Sequence, residues 1–254
     1  MRMPSTLHPL TSLTAAGCTA VITTAAGTWP LSLAVALAAV LLALRNNAGQ
    51  RVLVTASAVL LPLGLSLLML HGLFFPEGRT VLAEWGPARV TAEGLAFAWE
   101  AGSRTGACVL VLLLFSYTVS APDLIAALGA RGLPPQFSFV LASALTLLPA
   151  MAGQLERVRE AQEARGLVLR GGALSRIAAV RLQMVPLVLG LLEDSGSRAQ
   201  ALEARGFGGP GPRTSYREVA DPPVQRRFRA VLLLFTAAAV GLRIGASWPA
   251  AGPV

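Results

Sequence analysis

Long uncharged runs separated by short polar interruptions dominate the chain. From Leu10 to Leu44 no residue is charged, and Gly27-Thr28-Trp29-Pro30 interrupts the run near its middle. Proline suits the first turn of a helix, so the run reads as two short helices joined near Gly27–Pro30, with one long helix as the alternative. Arg45–Arg51 is a polar loop. Val52–Phe75 then supplies 24 uncharged residues. As a helix these would reach about 36 Å, more than the hydrocarbon core of a bilayer. Pro62 lies inside this segment, where a membrane helix tolerates it if neighbours satisfy the freed carbonyl. Pro76–Glu93 reads as a mixed-charge loop, and Thr105–Ser120 as an apolar helix extended backwards through Gly94–Gly102. Pro122-Asp123 starts a short helix and Gly132-Leu133-Pro134-Pro135 stops it. Phe137–Leu155 and Ala230–Trp248 are the remaining apolar segments, the latter with Arg243 close enough to its end to snorkel.

Charge assigns the sides. Residues 151–229 hold 13 of the 21 arginines against eight acids, which places that region in the cytoplasm by the positive-inside tendency. Counting back through the spans puts Arg45–Arg51 inside and Pro76–Glu93 outside. Hydropathy alone makes Phe137–Leu155 a span, but this count expects it to lie near the cytoplasmic face without crossing.

Composition narrows the function. Only 13% of the 254 residues are charged, about half the share of a soluble domain, which marks a polytopic membrane protein. Every basic residue is arginine, so neither a P-loop lysine nor a Schiff-base lysine is present. If nucleotide energy drives this protein, another chain hydrolyses the nucleotide. Cys18 and Cys108 sit far apart in apolar runs and give no disulfide framework or zinc spacing. His8 and His71 have no ligand-spaced carboxylate or cysteine; His71 is either an intramembrane functional group or a histidine tolerated near a span end. Met1–Leu10 carries no convincing cleavage signal, so no cleaved signal peptide is expected. Glu100 and Arg104 are four apart and face each other on a helix, as an interfacial ion pair or as a buried intramembrane pair that orients the helix.

Two stretches repeat. Glu163-Ala164-Arg165-Gly166 is echoed by Glu203-Ala204-Arg205-Gly206. Glycine after the arginine suits the left-handed residue that ends a helix, and arginine in the last turn suits the negative end of the helix dipole. Helix punctuation therefore explains each copy locally. Both copies also follow an apolar segment with a proline (Leu147-Leu148-Pro149 and Met184-Val185-Pro186) and then a polar helix. The pattern presents two arginines at cytoplasmic helix tips, and the planar guanidinium is suited to anchor a tip bidentately in a partner. Ala130-Arg131-Gly132 lacks the preceding acidic helix and reads as a turn.

The region 91–216 resembles the transmembrane coupling (T) component of energy-coupling factor transporters, the CbiQ/EcfT family of vitamin and metal importers, and the likeness elsewhere is only architectural. The resemblance rests on "TVSAPDLIAALGARGLP", "LTLLPAMAGQLERVREAQEARG" and "RLQMVPLVLGLLEDSGSRAQALEARGFGGPGPRTSY", with Ala164-Arg165-Gly166 and Ala204-Arg205-Gly206 as its paired signature. Phe207 and Arg213-Thr214 also fit the pattern, whereas Thr146 stands where many members carry a basic residue. The resemblance implies that the two motifs dock two cytoplasmic ABC ATPases, with Glu163, Glu203 and Arg213 in support. It also implies a separate small substrate-binding membrane (S) subunit. No cofactor and no metal would be bound by this chain, ATP and Mg being used by the partner subunits, and no nucleic acid is implied. The fold expected is all-α and polytopic in a prokaryotic plasma membrane, with about five transmembrane helices. These divide into transmembrane helices over 1–120, a cytoplasmic coupling-helix region over 121–225 and a final transmembrane helix over 226–254.

Other functions fit less of the sequence. A stand-alone secondary transporter would want ionisable groups within the spans, and beyond Glu100, Arg104 and His71 there are few. A membrane enzyme lacks any paired-carboxylate or nucleophile–base constellation. A membrane-anchored docking scaffold for anionic lipid or nucleic acid would want continuous basic blocks. Arg226-Arg227-Phe228-Arg229 is one such cluster, but its place before the final span reads as a positive-inside anchor.

Overall fold

The computed structural model describes residues 7–46, 48–72, 80–85, 88–166, 173–209 and 221–247. It is helical apart from one hairpin, and it divides into two units. The first comprises residues 1–131 and 219–254, the second residues 132–218.

In the first unit the early uncharged run forms two helices, α1 (Pro9–Ala26) and α2 (Trp29–Arg45). Gly27 ends α1 at φ 64°, a left-handed conformation that costs glycine nothing, and Trp29-Pro30 restarts the chain as a helix. α3 (Gly49–Leu67) continues through a π-helical turn over Leu68–Gly72, and together they are the most apolar candidate span. The expected loop at 76–93 contains a short antiparallel hairpin, β1 (Val81–Trp85) with β2 (Ala88–Thr91). Thr80 caps its base by donating to the Glu93 carboxylate from its hydroxyl at 2.6 Å. α4 (Ala92–Thr118) is the apolar helix extended backwards as expected, and α5 (Ala121–Gly129) follows with Ser120 accepting from the Asp123 amide at its N-cap. α8 (Pro223–Ser247) ends the described chain, so Arg226–Arg229 occupies its first turns instead of preceding it.

Small residues let these helices approach. The core holds Ala16, Ala39, Ala43, Val52, Ala56, Leu110 and Val111, and Ala39, Ala43, Val52 and Ala56 are nearly or wholly inaccessible. Membrane helices gain no hydrophobic drive from lipid, so close backbone approach and interhelical hydrogen bonds hold them together. Thr55 and Tyr117 share such a bond at 2.8 Å between α3 and α4, and the Cys108 thiol donates to the Ala20 carbonyl at 3.8 Å. Among the described residues four helical segments are long and apolar enough to cross a membrane: Gly49–Gly72, Ala92–Thr118, Pro135–Ala164 and Pro223–Gly245. Trp29–Arg45 is a shorter apolar helix. The fold is therefore that of a polytopic helical membrane protein.

A polar cluster ties the ends of the first unit together. Arg229, 4% exposed at its side chain, donates to both Asp221 carboxylate oxygens at 2.7 and 2.6 Å. It also reaches His8 Nδ1 at 3.1 Å and Thr11 Oγ1 at 3.3 Å. His8 Nδ1 accepts from the Leu10 amide as well, so both its neighbours are donors and the ring must be neutral with its proton on Nε2. Gln225 Oε1 accepts from the His8 amide at 2.8 Å. Burial pushes the His8 pKa below 6.5, Arg229 and Arg131 push it the same way, and Asp221 opposes them. Burial disfavours the Asp221 carboxylate, but the Arg229 hydrogen bonds and charge more than offset this and hold its pKa below the usual range.

The His8 shift has a sign. The unfolded chain binds more protons between the folded and unfolded pKa values, so stability is full above 6.5 and is lost as the pH falls below it. The thermal midpoint of the wild-type protein is expected to drop on acidification through that window. His8→Asn keeps a side-chain acceptor at the cap without a titrating ring, and its midpoint should fall less steeply. Parallel pH curves for the two proteins would exclude this role for His8.

Candidate functional site: two arginine tips

The second unit is built from two long helices, α6 (Pro135–Ala164) and α7 (Ala173–Ala204). The apolar segment 137–155 and the polar stretch after it form one continuous helix across Pro149, and α7 likewise runs through Pro186. Proline removes one intrahelical bond, but the segments on both sides favour helix strongly enough to continue. Length and composition would let α6 cross a membrane, in tension with the non-crossing role expected from charge. Thr146 donates to the Ala142 carbonyl at 2.9 Å, an intrahelical bond that a basic side chain would not make.

Each helix ends at its repeated motif. Arg165 is the cap of α6, and Gly166 follows at φ 90° with its amide donating to the Glu163 carbonyl at 3.0 Å. At the end of α7, Gly206 has φ 72° and its amide donates to Glu203 at 2.9 Å. The Phe207 amide donates to the Leu202 carbonyl, also at 2.9 Å, completing a Schellman turn. Ala164, Arg165, Gly166, Ala204, Arg205 and Gly206 are all exposed, and so are Glu163 and Glu203. Arg159 donates to Glu163 at 3.0 Å, an i,i+4 pair on the last turns of α6. Among the described residues neither Arg165 nor Arg205 has a side-chain partner. Arg213 lies outside the described residues.

The tips point to separate places. Phe207 packs against Phe139 with ring centroids 4.8 Å apart, and a Cβ added to Gly190 would lie 2.7 Å from Gln154 Nε2. From Phe139 to Gln154 along α6 the partner runs back from Phe207, just past α7, to Gly190 in its middle, so the helices run antiparallel. Arg205 thus lies near the start of α6 and Arg165 at its end. From the level of Phe139 to Arg165 the helix rises on the order of 40 Å. The Phe139 contact gives Phe207 a packing role at the second tip. Neither it nor the Gln154–Gly190 crossing was visible from local patterns, because each joins residues far apart in the chain.

The third Ala-Arg-Gly differs. α5 ends one residue before it, Gly132 has φ 99°, and the Arg131 guanidinium is engaged by Asp221 at 3.4 Å. Glu100 and Arg104 do form their ion pair at 2.8 Å, with side chains 41% and 34% exposed. Arg104 and Arg243 both approach Gly27, where an added Cβ would lie 3.4 and 3.2 Å from their Nη2 atoms. They face the C-terminus of α1, whose free carbonyls attract cations. His71 lies in the π-helical turn and stacks on Phe97 at 4.9 Å, with its buried Nδ1 lacking a hydrogen-bond partner among the described residues.

The first unit, helical apart from one hairpin, carries helices long and apolar enough to cross a membrane, and the second is a helical hairpin whose two helices each end in an exposed arginine. The sequence matches the CbiQ family, described as cobalt transport protein, over residues 1–216. The chain belongs to that family. It is 27% identical over 172 residues to the energy-coupling factor transporter transmembrane protein EcfT of Leuconostoc gelidum subsp. gasicomitatum, covering 64% of each chain. It is 31% identical over 155 residues to the protein of the same name from Exiguobacterium sibiricum, covering 58% of this chain and 59% of that one. Thus the chain spans about three-fifths of the length of these relatives. A putative ABC transporter ATP-binding protein of Bifidobacterium longum is 29% identical over 191 residues, 70% of this chain but 24% of that protein.

Proposed function

We propose that this chain is the transmembrane coupling subunit of an energy-coupling factor importer. The observation that carries the proposal is the pair of exposed arginines, Arg165 and Arg205, without a side-chain partner among the described residues, at opposite ends of one antiparallel helical hairpin. Tips so far apart suit two partner sites, one for each ATPase subunit. The chain has no lysine for a P-loop, so ATP and Mg would be handled by those subunits and not by this one. The Bifidobacterium relative supports the pairing, since a segment similar to this chain occurs there within a protein described as ATP-binding. Movement of the ATPases would pass along α6 and α7 to a small substrate-binding membrane subunit. The cargo would be a vitamin or a transition-metal ion, the latter in keeping with the family's description. The coupling arm, residues 121–225 with Arg213, would lie on the cytoplasmic side of a prokaryotic plasma membrane, where the arginine excess of that segment favours it.

Purification of the tagged chain from its native membranes in mild detergent tests this reading. Two ABC ATPase subunits and one small apolar membrane protein should co-purify with it. Recovery without any ATPase would overturn the assignment, and the identity of the small subunit would name the cargo.

A further inference from the structure

Beside the Arg229–Asp221 pair the first unit opens into a cavity of about 680 Å³, which the docking role does not use. His8, Arg131, Asp221, Arg226 and Arg229 line one part of it, and Ala127, Ala130, Ala230 and Leu233 the other. Three guanidiniums meet one carboxylate and a neutral histidine, leaving two positive charges in excess. Arg229 and Asp221 form the buried floor, with side chains 4% and 17% exposed. Arg131 and Arg226 are 48% and 68% exposed and reach Asp221 only at 3.4 and 3.8 Å, so both keep donors for an incoming anion. The Nε of Arg229 is also buried without a partner among the described residues.

The position of the cavity narrows the anion. Arg226 and Arg229 lie in the first turns of α8, where the candidate span Pro223–Gly245 begins, and Ala230 and Leu233 continue along the span. Charge at the end of a span with apolar wall beyond it matches a phosphate at head-group level with an acyl chain beside it. Basic pockets between helices at a membrane face are suited to anionic head groups. A planar guanidinium binds phosphate oxygens bidentately, which a carboxylate-saturated arginine could not do.

We infer that this cavity binds a phosphate group, carried by an anionic phospholipid, through Arg131 and Arg226. Arg229 and Asp221 act as its positioning floor. Because Asp221 keeps Arg229, removing the two outer arginines leaves the fold its buried pair.

Native mass spectrometry of the intact protein in micelles containing phosphatidylglycerol or phosphatidylcholine tests the inference. At about fivefold per arginine, the wild-type protein should retain phosphatidylglycerol roughly twenty-five-fold better than phosphatidylcholine. Arg131→Gln with Arg226→Gln should bring the two lipids close to parity. Arg226→Gln alone should lose about fivefold. Arg227→Gln removes the same charge from the same turn but does not line the cavity, and it should lose nothing. Equal retention by wild type and double variant, or equal loss from Arg226→Gln and Arg227→Gln, overturns the site. Excess inorganic phosphate separates the two sources. Bound lipid that resists it supports the phospholipid, whereas displacement reassigns the cavity to a soluble phosphate and overturns the lipid.

Discussion

Charge reversal at both helix tips, Arg165→Glu with Arg205→Glu, is expected to yield a folded, membrane-inserted protein that no longer retains its ATPases. Truncating a central arginine anchor costs about 2 kcal/mol or more, or roughly thirtyfold in affinity. Two independent tips therefore combine to roughly a thousandfold, while either single variant should lose only its own share. The fold has little reason to suffer. Both side chains are exposed and neither pairs with a described residue, so what the change adds is an acid beside a helix C-terminus. That penalty is about 0.3–1 kcal/mol per helix. Arg157→Glu is the control, because it reverses an exposed charge on α6 two turns before the tip. ATPase activity recovered per mole of purified protein is the readout. Undiminished recovery from the double variant, or equal loss from Arg157→Glu, would sink the docking role proposed above.

What the chain discloses on reading follows from the range of each interaction. Helix ends are local, set by a residue and its neighbours three or four positions away. Gly27-Thr28-Trp29-Pro30, the helix start at Pro122-Asp123, and both Arg-Gly ends could thus be placed from sequence alone. The hairpin at 81–91 was missed because its register depends on cross-strand pairs such as Val81 with Thr91, and a mixed-charge segment carries no clear alternation. His8 looked unpartnered for a different reason. Its acceptor role depends on Arg229, 221 positions away, and the only local hint was its place just before Pro9 at a helix start. Arg131 shows the same limit. As a tripeptide Ala130-Arg131-Gly132 matches the motif, yet contact with Asp221 gives its arginine another role. The glycine-ended helix tips were legible because helix punctuation is local, whereas the polar floor needed the fold.

Asp221→Ala should be the most damaging single change to the stability of the first unit. Among the described residues it leaves the Arg229 guanidinium, 4% exposed at its side chain, with only His8 Nδ1 and Thr11 Oγ1 as partners. A buried lysine could shed its proton, but a guanidinium in a protein cannot, so the uncompensated charge must be borne or the helix end must open. Breaking such a pair costs about 3–5 kcal/mol. Arg131 and Arg226 also lose a partner, but at 48% and 68% exposure they are rehydrated at little cost. Replacing both members separates charge burial from loss of the pair. Arg229→Met with Asp221→Ala removes the buried charge altogether, so it should be more stable than Asp221→Ala alone despite carrying one more substitution. Because membrane proteins commonly unfold irreversibly, the comparison belongs at one scan rate in one detergent. An unchanged midpoint in Asp221→Ala would show that Arg229 is not held by this carboxylate. A double variant weaker than the single would show that packing of the guanidinium stem, rather than its charge, anchors the start of α8 to the N-terminus of α1.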